Sequence, residues 1–276
     1  MLNLQDKTVV VSGAASGIGA VIAKTLLDNG AFLVCVDIAP WKDSELNQLV
    51  TPAYKLGADL SFAHIDAGDE REVKSNANFQ NFSSIHGLVN CAGLLGGDLT
   101  HNGRSLASLY KMFQAHVNTA FVLTEFCVPR MKHEGSIVNI GSIELSMVAP
   151  GVVLYATAKG ALWGMTVSYA VDLAKKGIRV NMVSPGDTAT QKNIAQYKNA
   201  SAMGQEYLQG YRGRTPLGQQ SVDPEEVAST VLFLLSVASR GITGQNIYVD
   251  RGYMRQLIDP HWFSSGNPED IYKEKS

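Results

Sequence analysis

The sequence has no excess of charge of either sign. Lys and Arg number 23 and Asp and Glu number 25 among 276 residues, so the formal net charge is -2 and the isoelectric point lies near 6.3. A protein that binds nucleic acid or an anionic membrane surface by electrostatics needs a basic field, which this composition does not provide. We therefore expect a small-molecule substrate, and neither a nucleic-acid partner nor a membrane partner.

Cysteine is scarce, and long hydrophobic runs are missing. Cys35, Cys91 and Cys127 have no CxxC spacing and lie in apolar stretches, which is typical of small buried side chains in a reducing compartment. The six histidines form no HExxH or other metal-ligand spacing, so no metal site is expected. No apolar run approaches a membrane span, and residues 1–7 do not have the pattern of a signal peptide. These absences predict a cytoplasmic protein.

Short apolar runs alternate with longer helical patterns as far as about Asp250, which indicates repeated βα units. Hydrophobic residues make up 45% of the chain, enough for the core of one domain over residues 1–253. We predict an α/β fold, a single doubly wound (Rossmann-type) domain with a seven-stranded parallel sheet flanked by helices. The predicted strands are Lys7–Ser12, Ala31–Asp37, Phe62–Asp66, Gly87–Ala92, Ser136–Ser142, Arg179–Pro185 and Asn246–Asp250.

Helical periodicity predicts long helices between the strands. Gly17–Asn29, Ser105–Val128 and Val153–Lys176 have apolar faces with helical spacing. Asp223 is followed by proline and two glutamates, so a helix is expected to begin there with the aspartate as its N-cap.

Two segments depart from the regular alternation. Residues 186–220 are polar, and we expect them to form a substrate-binding lid. Residues 254–276 form a C-terminal tail in which Trp262 and Phe263 stand out from polar neighbours. A tail with such side chains is expected to pack on a neighbouring subunit.

A glycine-rich turn, Ser-Gly-Ala-Ala-Ser-Gly-Ile-Gly over residues 12–19, joins the first strand to the first helix. Glycines let a backbone approach a pyrophosphate, and a helix N-terminus offers free N–H groups to hold it. An ordinary tight turn would use the same glycines, and this alternative stays open. The residues predicted to bind the cofactor here are Gly13, Ser16, Gly17, Ile18 and Gly19.

Asp37 closes the second strand, where an acid can accept hydrogen bonds from the adenosine ribose of a dinucleotide and would repel a 2′-phosphate. Ala14, Ala15 and Ile38 offer no compensating cation, so NAD is the predicted cofactor rather than NADP. A solvated aspartate at a strand end is the alternative.

Further polar residues follow the third and fourth strands. Asp66 is placed to receive the adenine amino group, and Asn90, Ala92 and Gly93 are expected to face the same crevice. For Asn90, a turn amide that bonds only to neighbouring backbone is an equally good interpretation.

Tyr155 and Lys159 are four residues apart in a helical pattern, which places them on one face. Lowering a tyrosine pKa from about 10 to about 7 requires roughly 4 kcal/mol. An ammonium about 4 Å from the phenolate supplies an amount of that order. Tyr155 is therefore a candidate general acid/base, and Ser142 can donate a hydrogen bond to the substrate oxygen. Taken alone, the YxxxK spacing is also common among surface pairs.

Together these features resemble the classical short-chain dehydrogenase/reductase family, from Lys7 to about Tyr253. The resemblance implies Tyr155 as acid/base, Lys159 also holding the nicotinamide ribose, and Ser142 polarising the substrate oxygen. The motifs that carry the resemblance are residues 13–19, the Asn-Cys-Ala-Gly segment at Asn90, Asn118, Ser142, Tyr155 with Lys159, residues 179–186 and residues 243–250.

The resemblance also implies roles outside the Ser–Tyr–Lys site. Asn118 would position a water in a proton relay, Pro185, Gly186 and Thr188 would border the nicotinamide and its phosphates, and the long helices would build a homotetramer or dimer. Arg251 stands where the family often has glycine.

Two further residues are expected at the substrate pocket. Glu144 and the lid residue Gln191 are candidates for contact with a polar group of the substrate, although Glu144 can equally be a solvated acid.

The predicted function is an NAD(H)-dependent oxidoreductase that interconverts a secondary alcohol and a ketone. An NADPH-dependent ketoreductase and a catalytically silent NAD-binding regulator are the alternatives.

Overall fold

The computed structural model describes residues 2–80, 82–94, 104–199 and 202–255. Its strands are β1 (Thr8–Ser12), β2 (Phe32–Asp37), β3 (Leu60–His64), β4 (Ile85–Asn90), β5 (Met131–Ile140), β6 (Arg179–Pro185) and β7 (Asn246–Val249). They form one parallel sheet in the order β3-β2-β1-β4-β5-β6-β7. The predicted fold class, a single doubly wound domain with a seven-stranded parallel sheet, is confirmed.

Helices cover both faces of the sheet. They are α1 (Gly17–Asp28), α2 (Glu45–Val50), α3 (Glu70–Ser75), α4 (Ala77–Gln80), α5 (Leu106–Phe113), α6 (Thr119–Cys127), α7 (Val153–Asp172), α8 (Gln191–Lys198), α9 (Ala202–Gly213) and α10 (Pro224–Leu235). A π-helical turn, Gln114–Asn118, joins α5 to α6. None of the helices in these ranges is long and apolar enough to cross a membrane.

The core is divided between the two faces of the sheet, because successive side chains of a strand point in opposite directions. Val9 and Val11 of β1 pack in the cluster that contains residues of α1 and α10. Val10 packs on the other side, with Leu123 of α6 and Ala170 of α7. Apolar side chains on both faces explain why the strand sequences are continuously hydrophobic rather than alternating.

The observed strand ends differ from the predicted ones at two places that matter for the site. β3 ends at His64, so Asp66 lies in the turn before α3. β5 ends at Ile140, so Ser142 lies beyond the strand and caps a short 3-10 turn by accepting the Glu144 N–H at 3.1 Å. Both side chains reach the carboxyl edge of the sheet from turns rather than from strands.

Arg251 ties the segment after β7 to the start of α10. Its Nη2 atom lies 3.0 Å from Asp223 Oδ2 and its Nε atom 2.9 Å from Glu226 Oε2, while only 10% of the arginine side chain is exposed. Asp223 precedes the helix as predicted, and its N–H donates to Glu226 at 2.9 Å. Arg251 has a φ of +52°, in the left-handed region that favours glycine.

We expect Arg251→Ala to lower the free energy of unfolding by about 1–2 kcal/mol, because two partly exposed ion pairs are lost. Arg251→Gly loses the same pairs but relieves the left-handed backbone, so it should be about 1 kcal/mol less destabilised. Urea unfolding of the two variants measures both effects. Equal losses of unfolding free energy in the two variants would show that the left-handed backbone at residue 251 does not affect stability.

Candidate active site

A cavity of about 620 Å³ lies at the carboxyl ends of β1, β2, β4, β5 and β6. At this edge β1 and β4 are neighbours although β2 and β3 separate them in sequence, and such switch points bind ligands in doubly wound sheets. The predicted residues that line the cavity are Gly13, Ser16, Gly17, Ile18, Gly19, Asp37, Asp66, Ala92, Gly93, Ser142, Tyr155, Lys159, Pro185, Gly186 and Thr188.

The glycine loop is shaped by close backbone contacts. Gly13 and Gly17 have φ values of +68° and +58°, in the left-handed region. A Cβ added to Gly13 would lie 2.7 Å from the backbone of Ala92, and one added to Gly19 would collide with the Gly13 carbonyl. The loop itself requires these glycines, and the first residues of α1 line the cavity.

Ser12 joins this loop to the segment after β4. Its hydroxyl accepts the N–H groups of Cys91 at 3.1 Å and Ala92 at 3.2 Å. These bonds hold the end of β4 against the end of β1, where the cavity opens.

Asp37 contacts the glycine loop directly. Its two carboxylate oxygens accept the N–H groups of Ala15 and Ala39, each at 2.9 Å. Each oxygen has further lone pairs that can accept a ligand hydroxyl. Within the described part of the chain, Asp37 makes no salt bridge, so its negative charge is not neutralised by an ion pair.

Glu45 is a cavity residue that the sequence analysis missed. Its Oε2 atom accepts the N–H of Gly17, the first residue of α1, at 2.7 Å. The neighbouring Leu46 N–H donates to the Ala15 carbonyl at 3.2 Å, which holds α2 on the loop. Twenty-eight residues separate the carboxylate from its partner, and no local sequence pattern reports such a contact.

Asp66 and Asn90 have different placements. Asp66 lines the cavity, and its Oδ1 accepts the Gly68 N–H at 2.9 Å. Asn90 does not line it: this buried side chain donates to Asn139 Oδ1 at 2.8 Å, and Asn139 donates to Thr166 at 2.9 Å. The amide of Asn90 therefore belongs to a network joining β4, β5 and α7, which corrects its predicted place at the crevice.

Ser142, Tyr155 and Lys159 meet at one wall of the cavity. The Ser142 hydroxyl lies near the phenol of Tyr155 and acts to lower its pKa. The Lys159 ammonium donates to the carbonyl of Ile140 at 2.7 Å and lies 5.4 Å from the centroid of the Tyr155 ring. Because the YxxxK pair faces the cavity, the surface-pair interpretation is excluded.

Burial shifts the pKa values of Tyr155 and Lys159. It raises the pKa of Tyr155 to about 12, against the lowering effect of the Ser142 hydroxyl. It also lowers the pKa of Lys159 to about 8. The tyrosine shift is opposite to the predicted one, because the cost of desolvating the phenolate exceeds the benefit of the polar neighbours.

The predicted helix between residues 105 and 128 contains a π turn, and this turn changes where the side chain of the predicted site residue Asn118 lies. The π turn places His116 in the cavity wall, whereas Asn118 is exposed, donates to Gln114 at 2.7 Å and does not line the cavity. A π turn contains an extra residue, so side chains after it point away from the directions that α-helical spacing predicts. The predicted role of Asn118 is therefore not supported by its position.

The two predicted substrate residues also lie outside the cavity wall. Glu144 accepts the Ala149 N–H at 2.8 Å, within its own loop, and burial raises its pKa. Gln191 is exposed at the start of α8, while the next two residues, Lys192 and Asn193, face the cavity. The tail residues Trp262 and Phe263 lie outside the described residues.

The base of the predicted lid is held by polar contacts. The Asp187 N–H donates to the hydroxyl of Tyr211 in α9 at 2.9 Å, and Ser221 donates to the Asp187 carboxylate at 2.6 Å. The Tyr211 ring stacks on Tyr253, with centroids 4.0 Å apart. These contacts connect the strand end beside Pro185 to α9 and to the last described residues.

The residues present fit a nicotinamide dinucleotide. A close-packed glycine loop leads into the N-terminus of α1, where Ser16 makes no side-chain cap and Glu45 accepts the N–H of Gly17. Asp37 lines the same cavity as Ser142, Tyr155 and Lys159 and would accept hydrogen bonds from the adenosine ribose. No cluster of three metal-binding side chains occurs among the residues described.

Known proteins share both the sequence pattern and the fold. A family profile described as Enoyl-(Acyl carrier protein) reductase matches residues 13–254. Zerumbone synthase of Zingiber zerumbet is 31% identical, over 91% of this chain and 96% of its own. Chanoclavine-I dehydrogenase of Aspergillus fumigatus is 31% identical, over 90% and 98%.

Solved structures agree with these sequence matches. The aldohexose dehydrogenase of Thermoplasma acidophilum has a TM-score of 0.78 and 28% identity, and the match covers 92% of this chain and 96% of that one. The protein is an oxidoreductase that uses a nicotinamide cofactor, and it belongs to the short-chain dehydrogenase/reductase family.

Proposed function

We propose that this protein is an NAD(H)-dependent oxidoreductase that interconverts a secondary alcohol and a ketone, with Tyr155 as the general acid/base. The observation that carries the proposal is the meeting of Ser142, Tyr155 and Lys159 in one cavity with the glycine loop and Asp37. A protein that only bound the cofactor would need the loop and the acid but not these three side chains.

The side chains divide the chemical work when the alcohol is oxidised. The bound cofactor supplies a hydride acceptor and, in its oxidised form, a positive charge. The Tyr155 phenolate accepts the alcohol proton, and the Ser142 hydroxyl donates a hydrogen bond to the substrate oxygen. The Lys159 ammonium favours the phenolate by its charge. In the reverse direction, Tyr155 returns the proton to the carbonyl oxygen.

The preference for NAD over NADP rests on the carboxylates at the adenosine end. Asp37 and Glu45 both line the cavity beside the glycine loop. A 2′-phosphate at this position would meet two acids, whereas ribose hydroxyls can donate to Asp37.

The experiment that tests the function follows reduction of NAD and NADP in parallel by the purified protein, with a panel of sugars, polyols and cyclic secondary alcohols. We expect turnover with a higher kcat/KM for NAD. Preference for NADP would favour the NADPH-dependent ketoreductase. Tight NADH binding with no turnover across the panel would favour the catalytically silent regulator.

Removing the charge of Glu45 is expected to strengthen cofactor binding. Its carboxylate and the pyrophosphate are both anions drawn to the N-terminus of α1, so Glu45→Gln should lower the Kd for NADH about two- to fivefold. Fluorescence titration measures the change, with Glu70→Gln on the exposed face of α3 as the control. Weaker binding by Glu45→Gln would show that the carboxylate supports the loop more than it repels the ligand.

We also propose that the protein forms a homo-oligomer through the helices between residues 105 and 172, as the family resemblance implies. Large apolar side chains are exposed there, which is typical of interaction surfaces. Light scattering should give a dimer or tetramer, and a monomer would exclude the proposal. The exposed side chains are Leu106, Tyr110, Phe121, Val153, Val167 and Val171.

A further inference from the structure

Lys192 is a cation in the cavity wall that the proposed function does not use. It lies in the first turn of α8, lines the cavity and is exposed. Within the described part of the chain, it makes no salt bridge. A lysine in the first turn of a helix also opposes the helix dipole, which favours anions at that end. The position is therefore electrostatically unfavourable unless an anion binds beside it.

Two hydrogen bonds fix the first turn of α8, and a close contact places it beside the N-terminus of α1. The Thr190 hydroxyl accepts the N–H of Asn193 at 3.2 Å, and the Asn193 amide donates to the Thr188 carbonyl at 2.8 Å. Cγ2 of Thr190 lies 3.5 Å from the position of a Cβ added to Gly17, the first residue of α1. Lys192 is two residues from this contact, and a helix N-terminus is where a pyrophosphate binds.

The glycine loop already carries negative charge. Glu45 accepts the N–H of Gly17 at 2.7 Å, and Asp37 accepts the N–H of Ala15 at 2.9 Å. The pyrophosphate of a dinucleotide is itself a dianion, so binding it here brings like charges together. A cation beside the loop would offset this repulsion.

Four basic side chains line the described cavity wall, and two of them are committed elsewhere. Any Cβ at Gly93 would collide with the imidazole of His116, and burial lowers the pKa of this histidine to about 3, so it is neutral at neutral pH. Lys159 is buried and belongs to the proposed acid/base group. The four side chains are Lys111, His116, Lys159 and Lys192.

The two remaining lysines lie on different elements. Lys111 is in α5, three residues before Gln114, whose amide donates to Asp66 at 3.4 Å. It therefore belongs to the side of the cavity predicted to bind adenine. Lys192 is the lysine on the element that packs against the N-terminus of α1.

We infer that Lys192 binds the pyrophosphate of the nicotinamide dinucleotide and offsets the negative charges of Glu45 and Asp37. The pyrophosphate is then held from two sides, by backbone N–H groups of α1 and by the ammonium of α8. The inference rests on the cofactor that the family uses. It does not depend on the alcohol substrate or on the preference for NAD proposed above, because NADP has the same pyrophosphate.

Three variants and three ligands test this contact. Lys192→Met removes the charge, Lys192→Arg keeps it, and Lys198→Met removes a lysine from the last turn of the same helix as the matched control. Fluorescence titration gives the Kd for whichever of NADH and NADPH the unmodified protein binds more tightly. Displacement of that dinucleotide gives the Kd for ADP-ribose, which lacks the nicotinamide, and for adenosine, which also lacks the pyrophosphate. Thermal unfolding of each ligand-free variant tests its folding.

The expected losses follow the pyrophosphate. Lys192→Met should weaken the dinucleotide and ADP-ribose by the same factor, about five- to tenfold, the effect of a charge-assisted hydrogen bond at an exposed position. Its affinity for adenosine should not change, and added salt should weaken its dinucleotide binding less than that of the unmodified protein. Lys192→Arg and Lys198→Met should stay within about twofold. Ligand-free Lys192→Met should have a Tm no lower than the unmodified protein, because a charge that opposes the helix dipole is removed.

Other results overturn the inference. Unchanged ADP-ribose affinity in Lys192→Met would show that the lysine does not contact the pyrophosphate, and a loss confined to the dinucleotide would place it at the nicotinamide. Equal losses for all three ligands, with a lower Tm, would make Lys192 a structural residue. None of these measurements requires turnover, so they remain valid if Tyr155→Phe retains kcat and the proposed alcohol–ketone mechanism fails.

Discussion

Replacing Tyr155 with phenylalanine is expected to lower kcat by about 10²–10⁴-fold, the range for removal of a general acid/base. The phenyl ring keeps the edge-to-face contact with His116, so folding should be preserved. NADH affinity should change little, because only the hydroxyl is lost. Initial rates of NADH formation measure kcat, and a variant retaining more than about a tenth of it would contradict the role of Tyr155.

A second tyrosine on the same helix provides the matched control. Tyr169 of α7 donates its hydroxyl to Glu125 at 2.6 Å, away from the cavity. Tyr169→Phe removes the same atom from the same helix and should leave kcat unchanged.

Oxidation by the unmodified protein should also become faster as pH rises above neutrality, because the pKa of Tyr155 is raised to about 12 and the base form is the phenolate.

Replacing Lys159 with methionine is expected to abolish turnover and to stabilise the fold by about 2–3 kcal/mol at neutral pH. Lys159 is 5% exposed, and burial lowers its pKa from 10.5 to about 8. At neutral pH the folded protein therefore bears the cost of a buried charge. Loss of the bond to the Ile140 carbonyl offsets part of the gain. Urea unfolding measures the difference.

The stability gained by Lys159→Met should decrease as pH rises. Between pH 8 and 10.5 the unfolded chain holds the Lys159 proton more strongly than the folded chain does, so the unmodified protein gains stability as pH rises. The advantage of Lys159→Met should be full below pH 8 and disappear through this window. Lys175→Met, at an exposed position after α7, should change stability by less than about 0.5 kcal/mol. A destabilised Lys159→Met variant would contradict the argument.

The sequence predicts the fold and most of the cavity because both depend on short-range patterns. Buried parallel strands have continuous apolar runs, and their carboxyl ends meet at one edge, so the residues that follow each strand can be placed without coordinates. Gly13 and Asp37 follow from this reasoning, whereas Thr188 follows only from the family resemblance. Tyr155 and Lys159 were located by helical spacing.

The features that the sequence did not predict depend on contacts between distant elements or on irregular backbone. The π turn changes the side-chain directions after Gln114, so Asn118 was assigned a place that His116 occupies. Glu45 reaches the N-terminus of α1 from another helix. The direction of the Tyr155 pKa shift depends on how completely the site is enclosed, which a pairwise estimate of charge attraction omits.

The packing of Gly93 against the His116 imidazole links two positions that are far apart in the chain. A side chain at residue 93 requires that the imidazole at 116 move or be replaced by a smaller group, whereas a smaller residue at 116 removes the three nearest atoms that a Cβ at 93 would meet. Natural variation and protein engineering should therefore change this pair in a fixed order, with residue 116 first. A library that mutates Gly93 alone would displace the imidazole of His116 in every variant, and a library that shortens residue 116 beforehand would open that wall of the cavity to new shapes.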